Sequence, residues 1–193
     1  MVSAILLAAG ESRRMSQPKL LLPLGGSTVL EQTLDNLLQS RVDEVIVVVG
    51  NKADEMLKRI GKRPVKVITN PDFRQGMATS IIKGLGLVDP KASAVMLVLA
   101  DQPLIDSQTI NKLLDAFASH DKGIVIPVYQ GKRGHPIIFA GKYKAALLQL
   151  KGDIGGRELV GQHPGDVLEV PVASRGVALD IDTPDDYRSL DTP

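Results

Sequence analysis

Hydrophobic residues along this chain gather into short dense runs, and each run is followed by a polar, glycine- or proline-containing exit. Seven of these read as strands: "AILLAA" from residue 4, "EVIVVVG" from 44, "VKVIT" from 65, "AVMLVLA" from 94, "GIVIPVY" from 123, "PIIFA" from 136 and "VALDID" from 177. Several are almost continuous Val, Ile and Leu rather than alternating, the pattern of strands covered on both faces in a parallel sheet. Between them the period changes to that of a helix. Thr28 to Ser40 puts Val29, Leu30, Thr33, Leu34, Leu37 and Leu38 on one stripe, and Asp106 to His120 does the same with Ile110, Leu113, Leu114 and Phe117. The first four strands and their intervening helices predict βαβ units. Beyond about residue 130 glycine and proline become denser and the simple alternation stops. No linker, repeat or low-complexity tract interrupts the chain, so one domain over 1–193 is expected. Its nucleotide-binding half would cover about 1–105 and its elaborated half about 106–193.

Composition narrows the function classes. A length of 193 residues suits one core, and a formal net charge of +1 gives no basic field for nucleic acid or membrane surfaces. Cysteine is absent, which excludes disulfides and thiolate metal sites. Trp is absent and aromatics are 3%, so base-stacking platforms are not expected. The apolar run Val2 to Ala9 is too short to span a bilayer and lacks a basic leader, so a cytoplasmic location is expected.

In an open α/β sheet, ligands gather beyond the carboxyl ends of the strands. Three strand exits carry chemistry-bearing residues. In "LLAAGESRRM", Gly10 permits a sharp turn with an uncovered amide, and Arg14 and Lys19 add positive charge. This suits a polyanion-binding loop, and a turn with solvated basic residues fits the same letters. The spacing is neither that of a dinucleotide fingerprint nor that of a P-loop. In "AVMLVLADQPLI", Asp101 ends a fully apolar run, a place from which a carboxylate can hold a hard cation on phosphates or merely cap a turn. "DSQT" at 106–109 looks like a helix entry. In "VALDIDTPDDY", Asp180 and Asp182 alternate and would face one side of a strand, while Thr183 and Pro184 suit a helix start. Asp182 is then either a turn residue or a partner of Asp101 at a shared metal.

The motif "LAAGESRRMSQPKLLLPLGG" resembles the L-A-A-G-x-S-x-R-M-x-x-x-K signature of the molybdenum-cofactor nucleotidyltransferases, relatives of the sugar-nucleotide pyrophosphorylases. "LADQP", "KRGHPIIF", "KGDIGGRELV" and "LDIDTPDDY" resemble later motifs of the branch that cytidylylates the cofactor. The guanylyl-transferring branch usually reads A-G-G where this chain has Ala8, Ala9 and Gly10. The resemblance implies a three-layer α/β/α fold with a mostly parallel sheet, of the nucleotide-diphospho-sugar transferase type. It further implies transfer of CMP from CTP to the phosphate of molybdenum cofactor (molybdopterin), release of pyrophosphate, Mg²⁺ dependence, and handover to a recipient molybdoenzyme. It places Leu7, Ala8, Ala9 and Gly10 at the nucleotide, Arg14 and Lys19 at the triphosphate, and Asp101 and Asp182 at the metal. Asn70, Gly76 and Ser80 would add base and ribose contacts.

An acceptor phosphate is already ionised near neutral pH, so the chemistry needs alignment and charge neutralisation rather than a nucleophile triad. His135 in "RGHP", a lone histidine between Gly and Pro, equally fits a structural hydrogen-bonding turn residue; as a functional group it suits binding the acceptor phosphate better than moving a proton. Asp153 and Arg157 in "GDIGGR" would grip the acceptor, or pair with one another in a loop. Met15 reads as a packing residue, "NKADEMLKRIGKR" as a solvated helix face, and His120 and His163 as helix-end caps. A sugar-phosphate acceptor, use of GTP or ATP, a non-catalytic nucleotide-binding chaperone and a redox protein are the rival expectations.

Overall fold

The computed structural model describes residues 1–12, 15 and 17–191. In chain order, β1 (Val2–Ala8) is followed by the small hairpin β2 (Pro23–Leu24) and β3 (Ser27–Thr28). Then come α1 (Val29–Leu38), β4 (Glu44–Val49), α2 (Ala53–Ile60), β5 (Lys66–Thr69), α3 (Met77–Leu85), β6 (Ala94–Leu99) and α4 (Ser107–Ser119). The later part adds β7 (Ile124–Tyr129), β8 (Lys132–Arg133), β9 (Ile137–Ala140), α5 (Lys144–Leu147), α6 (Arg157–Gln162), β10 (Val167–Pro171) and α7 (Pro184–Arg188).

The main sheet runs β10-β7-β9-β6-β1-β4-β5, with β8 paired to β7. β1 is parallel to both β4 and β6, as β4 is to β5 and β7 to β10. Only β9 and β8 run against their neighbours. β9 follows β7 after a short connection, which suits an antiparallel return and leaves no room for a crossover helix.

The strand patterns explain the layers. Ala4, Leu6 and Ala8 of β1 join one apolar cluster with Leu30, Leu34 and Leu37 of α1, Met56 and Ile60 of α2, and Ile110 and Leu113 of α4. Ile5 points the other way and packs with Ile81 and Leu85 of α3, Leu147 of α5 and Leu159 of α6. Both faces of β1 are therefore covered, as its unbroken apolar run requires. Helix α1 starts on a capping box in which Thr28 and Glu31 satisfy each other's backbone amides. Asp106 caps α4 through the Thr109 amide.

Two sequence expectations change here. "VALDID" is not a strand: its first residues finish a 3-10 turn (Arg175–Ala178) and the rest is irregular. Its backbone bonds go to loops, from His135 N to Val177 O and from Ile181 N to Asp101 O, and not into a ladder. Conversely, β10 pairs with β7 although "VLEVP" has a polar centre and a proline. It forms the edge of the sheet, where both are tolerated.

Candidate active site

Strand order places the site. β1 leads to β4 on one side, and β6 is added on the other, so the crevice opens where the carboxyl ends of β1 and β6 diverge. A cavity of about 470 Å³ lies there, walled by Leu7, Ala9 and Gly10 from the end of β1, by Lys19, and by Asp101 beyond β6. Asp182 closes it from the far end of the sequence.

Lys19 is the electrostatic hub. It opens a short 3-10 turn (Lys19–Leu21), and its amide donates to Ser12 Oγ at 3.0 Å, which fixes the loop leaving β1. Its Nζ donates to Asp101 Oδ2 at 2.5 Å and to Asp182 Oδ1 at 3.1 Å. Burial works against the ammonium, but the two carboxylates outweigh it and hold the Lys19 pKa above the ordinary lysine value. Burial also pushes the Asp101 carboxyl upward, with Lys19 opposing.

Sequence distance hides how Asp182 arrives. The 174–182 segment lies against the loops after β6 and before β9 because two glycines leave room. A Cβ on Gly134 would sit 1.9 Å from Val177 O, and one on Gly176 would sit 2.7 Å from the Leu104 carbonyl carbon. Ile181 N then donates to Asp101 O at 3.3 Å, setting Asp182 beside Asp101. A second capping box, Thr183 with Asp186, starts α7, and Asp186 Oδ2 also accepts from Asp182 N.

A second cavity of about 350 Å³ adjoins the first and shares Met77, Leu99, Asp153 and Asp180 with it. His135 and Arg157 line it. His135 is 7% exposed, and burial together with the Arg157 charge lowers its pKa to about 4. It is neutral at pH 7 and a poor base there. Arg157 has only donors, so its 3.4 Å approach to His135 Nδ1 makes that nitrogen the acceptor and leaves the ring proton on Nε2.

The remaining expected residues fall into four groups. Ser80 lines the first cavity, and Asp153 lines both. Ala8 and Asn70 are fully buried behind the wall; Asn70 Nδ2 donates to Thr79 Oγ1 at 2.8 Å and Ser80 Oγ at 2.9 Å, and its Oδ1 accepts from Asp72 N. Gly76 (φ +110°) lies so close to Gly152 that a Cβ would sit 2.2 Å from its carbonyl carbon. It joins the nucleotide-side wall to the "GDIGG" loop without lining a cavity. Arg14 lies outside the described residues. Asp153 and Arg157 form no ion pair with each other among the described residues; Arg157 approaches His135 instead. Met15 packs on the core, His120 Nδ1 lies 3.0 Å from Ala116 O at the end of α4, and His163 ends α6.

Three further wall residues come from a stretch that the family resemblance assigns to base and ribose contacts. Phe73, Arg74 and Met77 line the first cavity from the "FRQGMATSI" stretch. Arg74 sits 5.6 Å over the Phe73 ring, and its Nε donates to Glu11 Oε1 at 3.1 Å, joining the β1 exit to the 73–75 turn. Asp180 lies on the wall between the cavities, where the fully buried Gln102 donates to it through Nε2 at 2.6 Å. In the sequence Gln102 is only the polar residue after Asp101 at the end of the apolar run. Its partner lies 78 residues away.

Asp101 and Asp182 fit a hard divalent cation in their donor type: both are oxygen ligands brought to one point by a shared ammonium. No group of three or more His, Cys, Asp or Glu among the described residues forms a ready-made cage. Two carboxylates with phosphate oxygens and water completing the shell is the arrangement Mg²⁺ favours.

A doubly covered, mostly parallel sheet with a cationic and carboxylate-lined crevice at its switch point defines an α/β nucleotidyltransferase. The chain belongs to the family described as the MobA-like NTP transferase domain, which it matches over residues 4–167. It is 30% identical to nicotine blue oxidoreductase of Paenarthrobacter nicotinovorans, over 98% of this chain and 96% of that protein. It is 29% identical to molybdenum cofactor cytidylyltransferase of Escherichia coli strain K12, over 96% and 93%. Among solved structures, Rv0371c of Mycobacterium tuberculosis H37Rv superposes with a TM-score of 0.89 at 34% identity, over 98% and 96%. Rv0371c is also known in complex with manganese, and that structure superposes at 0.85, 32% identical over 98% and 97%. No helix among the described residues is long and apolar enough to cross a membrane.

Proposed function

We propose that this chain transfers a cytidylyl group from CTP to the terminal phosphate of molybdenum cofactor, releasing pyrophosphate, as a cytoplasmic enzyme that hands the product to a molybdoenzyme. The observation that carries the reading is the Lys19 ammonium held between Asp101 and Asp182 in one cavity, next to a second cavity lined by His135 and Arg157. The likeness to the Escherichia coli cytidylyltransferase supports the choice of nucleotide and acceptor. Ala9 in place of the glycine usual in the guanylyl branch supports it further.

In this reading residues 1–105 serve the nucleotide and 106–193 the acceptor, within one domain. Backbone at Leu7, Ala9 and Gly10 would face the nucleotide. Arg14 and Lys19 would hold the triphosphate, Ser80 would touch the ribose or base, and Asn70 would fix Ser80 from behind. An acceptor phosphate oxygen attacks the α-phosphorus, its new P–O bond forms, and the bond to pyrophosphate breaks. Lys19 offsets the charge growing on the departing oxygens. Asp101 and Asp182 would hold Mg²⁺, which supplies further charge neutralisation when bound. Arg157 would grip the acceptor phosphate as a planar fork. His135, neutral with its proton on Nε2, would donate a hydrogen bond there and not remove a proton. Asp153 would orient the acceptor at the shared wall.

A second reading comes from the 30% identical relative named for an oxidoreductase. The test separates them. Purified protein with Mg²⁺ is given each NTP, with and without molybdenum cofactor, and pyrophosphate is measured beside oxidation of a reduced pyridine nucleotide. Cofactor-dependent pyrophosphate from CTP is the expected result. Pyridine-nucleotide oxidation without pyrophosphate would favour the redox reading, and pyrophosphate with a sugar phosphate would move the acceptor class.

A further inference from the structure

Lys19 stands in the position a divalent cation would need. Its Nζ lies within hydrogen-bonding distance of both Asp101 and Asp182, and the Lys19 and Asp101 side chains are each only 15% exposed. The pair of carboxylates therefore already has a counter-cation in the nucleotide-free protein. If the ammonium moves away, it needs a new anionic partner, because a part-buried charge without one is costly. Of the other carboxylates on this wall, Asp180 accepts from Gln102 and Glu11 accepts from Arg74, while Asp153 stands on the side shared with the second cavity. A triphosphate would supply the missing anion in the same cavity.

We infer that Lys19 is a resident stand-in for the metal, closing the Asp101–Asp182 pair until a divalent cation and a triphosphate arrive together. This rests on the proposed reading of those two aspartates as metal ligands. It goes further by assigning one lysine two successive positions: between the carboxylates before binding, and on the triphosphate after it. Metal and nucleotide must then enter cooperatively, and the coupling is reciprocal. The divalent cation by itself binds weakly because Lys19 must leave with no anion to meet it.

The test is Mn²⁺ binding to the full chain without nucleotide, read by electron paramagnetic resonance, for the native protein and for Lys19→Gln. Removing the ammonium should raise Mn²⁺ affinity by roughly tenfold or more, and adding Asp101→Asn should cancel the gain. A non-hydrolysable CTP analogue should tighten Mn²⁺ on the native protein and do so far less on Lys19→Gln. If the analogue brings Mn²⁺ onto the native protein while Lys19→Gln binds the bare ion no better than native, the stand-in role is wrong and the metal reading survives. If the native protein takes up no Mn²⁺ even with the analogue, the metal reading fails and this inference with it. Should Lys19→Gln need metal to fold, circular dichroism at graded Mn²⁺ replaces the binding curve. Folding that tracks Mn²⁺ supports the stand-in, and Mn²⁺-independent unfolding overturns it.

Discussion

The two adjoining cavities share four wall residues and are built in opposite ways. The first stands on the ends of β1 and β6, the most deeply covered strands of the sheet, and its charged groups are locked to each other: Lys19 to Asp101 and Asp182. The second stands on the exit of β8, the "GDIGG" loop and the start of α6, and its two polar landmarks are a neutral histidine and an arginine at 3.4 Å. One is held by a charge network whose last member, Asp182, is seated by backbone fit at Gly134 and Gly176; the other leans on the close approach of Gly76 to the "GDIGG" loop. A rigid charged crevice suits the part of a reaction common to a whole family. A loop-built cavity suits the part that differs between acceptors.

The largest expected effect breaks the charged cavity alone. Lys19→Ala and Asp101→Asn should each lower kcat by about 10²–10³, the scale for removing one preorganised charge partner from a transition state, while the fold persists. Steady-state turnover with a melting curve on the same samples checks this. Normal turnover of Asp101→Asn at low Mg²⁺ would reduce Asp101 to a turn residue.

The second cavity should reveal itself through pH. His135 titrates near 6.5 when unfolded and near 4 when folded. Between those values the unfolded chain binds more protons, so stability rises with pH. The contribution is fully present above 6.5 and is lost as pH falls toward 4. The loss from pH 7 to pH 5 should be about 2 kcal/mol, read by urea melts, and His135→Asn should flatten it. The carboxylates with lowered pKa, Glu44 and Asp166, lose their contributions as pH falls below the ordinary carboxylate range. The buried Asp101 carboxyl, raised above its ordinary value, works in the opposite sense, so the histidine's share is read as the difference between native protein and His135→Asn. A pH 5–7 stability slope that His135→Asn leaves unchanged would contradict the burial of a neutral His135.

Nucleotide choice sharpens the contrast on the first side. CTP should be preferred over GTP and ATP by about 1–3 kcal/mol in kcat/KM, the range a single methyl-sized change in a pocket supports. Equal turnover with GTP would remove Ala9 from the explanation. The smallest effect belongs to the joint between sequence ends: Thr183→Ala should cost about 1 kcal/mol of stability through its lost cap. It should also weaken metal affinity modestly, because the cap sets Asp182. Unchanged metal affinity at reduced stability would leave Thr183 a purely structural cap.

How much of this was legible follows from the same contrast. Strands buried on both faces announced themselves as Val, Ile and Leu runs, and the helix entries at Asp106 and Thr183 stood in plain sequence. Lys19 and Asp101 stood near strand exits in plain sequence, whereas a meeting of Asp101 with Asp182 is expected from the family resemblance and not from spacing. What stayed hidden depends on long-range backbone contact. "VALDID" has strand letters, yet its amides and carbonyls bond to loops more than forty residues away. Asp180 meets Gln102, and Gly76 meets Gly152, through approaches that no local period encodes. The resemblance places Asn70 among the base and ribose contacts; the bonds of its amide to Thr79, Ser80 and Asp72 behind the wall are not encoded in any local pattern.

The division of labour between the cavities is tested most directly by titrating CTP into native protein and Arg157→Ala by calorimetry, with acceptor KM measured on the same preparations. Arg157→Ala should leave CTP affinity nearly unchanged. It should raise the KM for molybdenum cofactor by an amount equivalent to about 2 kcal/mol, the scale of a lost charge-assisted contact to phosphate. CTP binding weakened as much as acceptor binding, or a lowered melting temperature with both constants intact, would contradict the account.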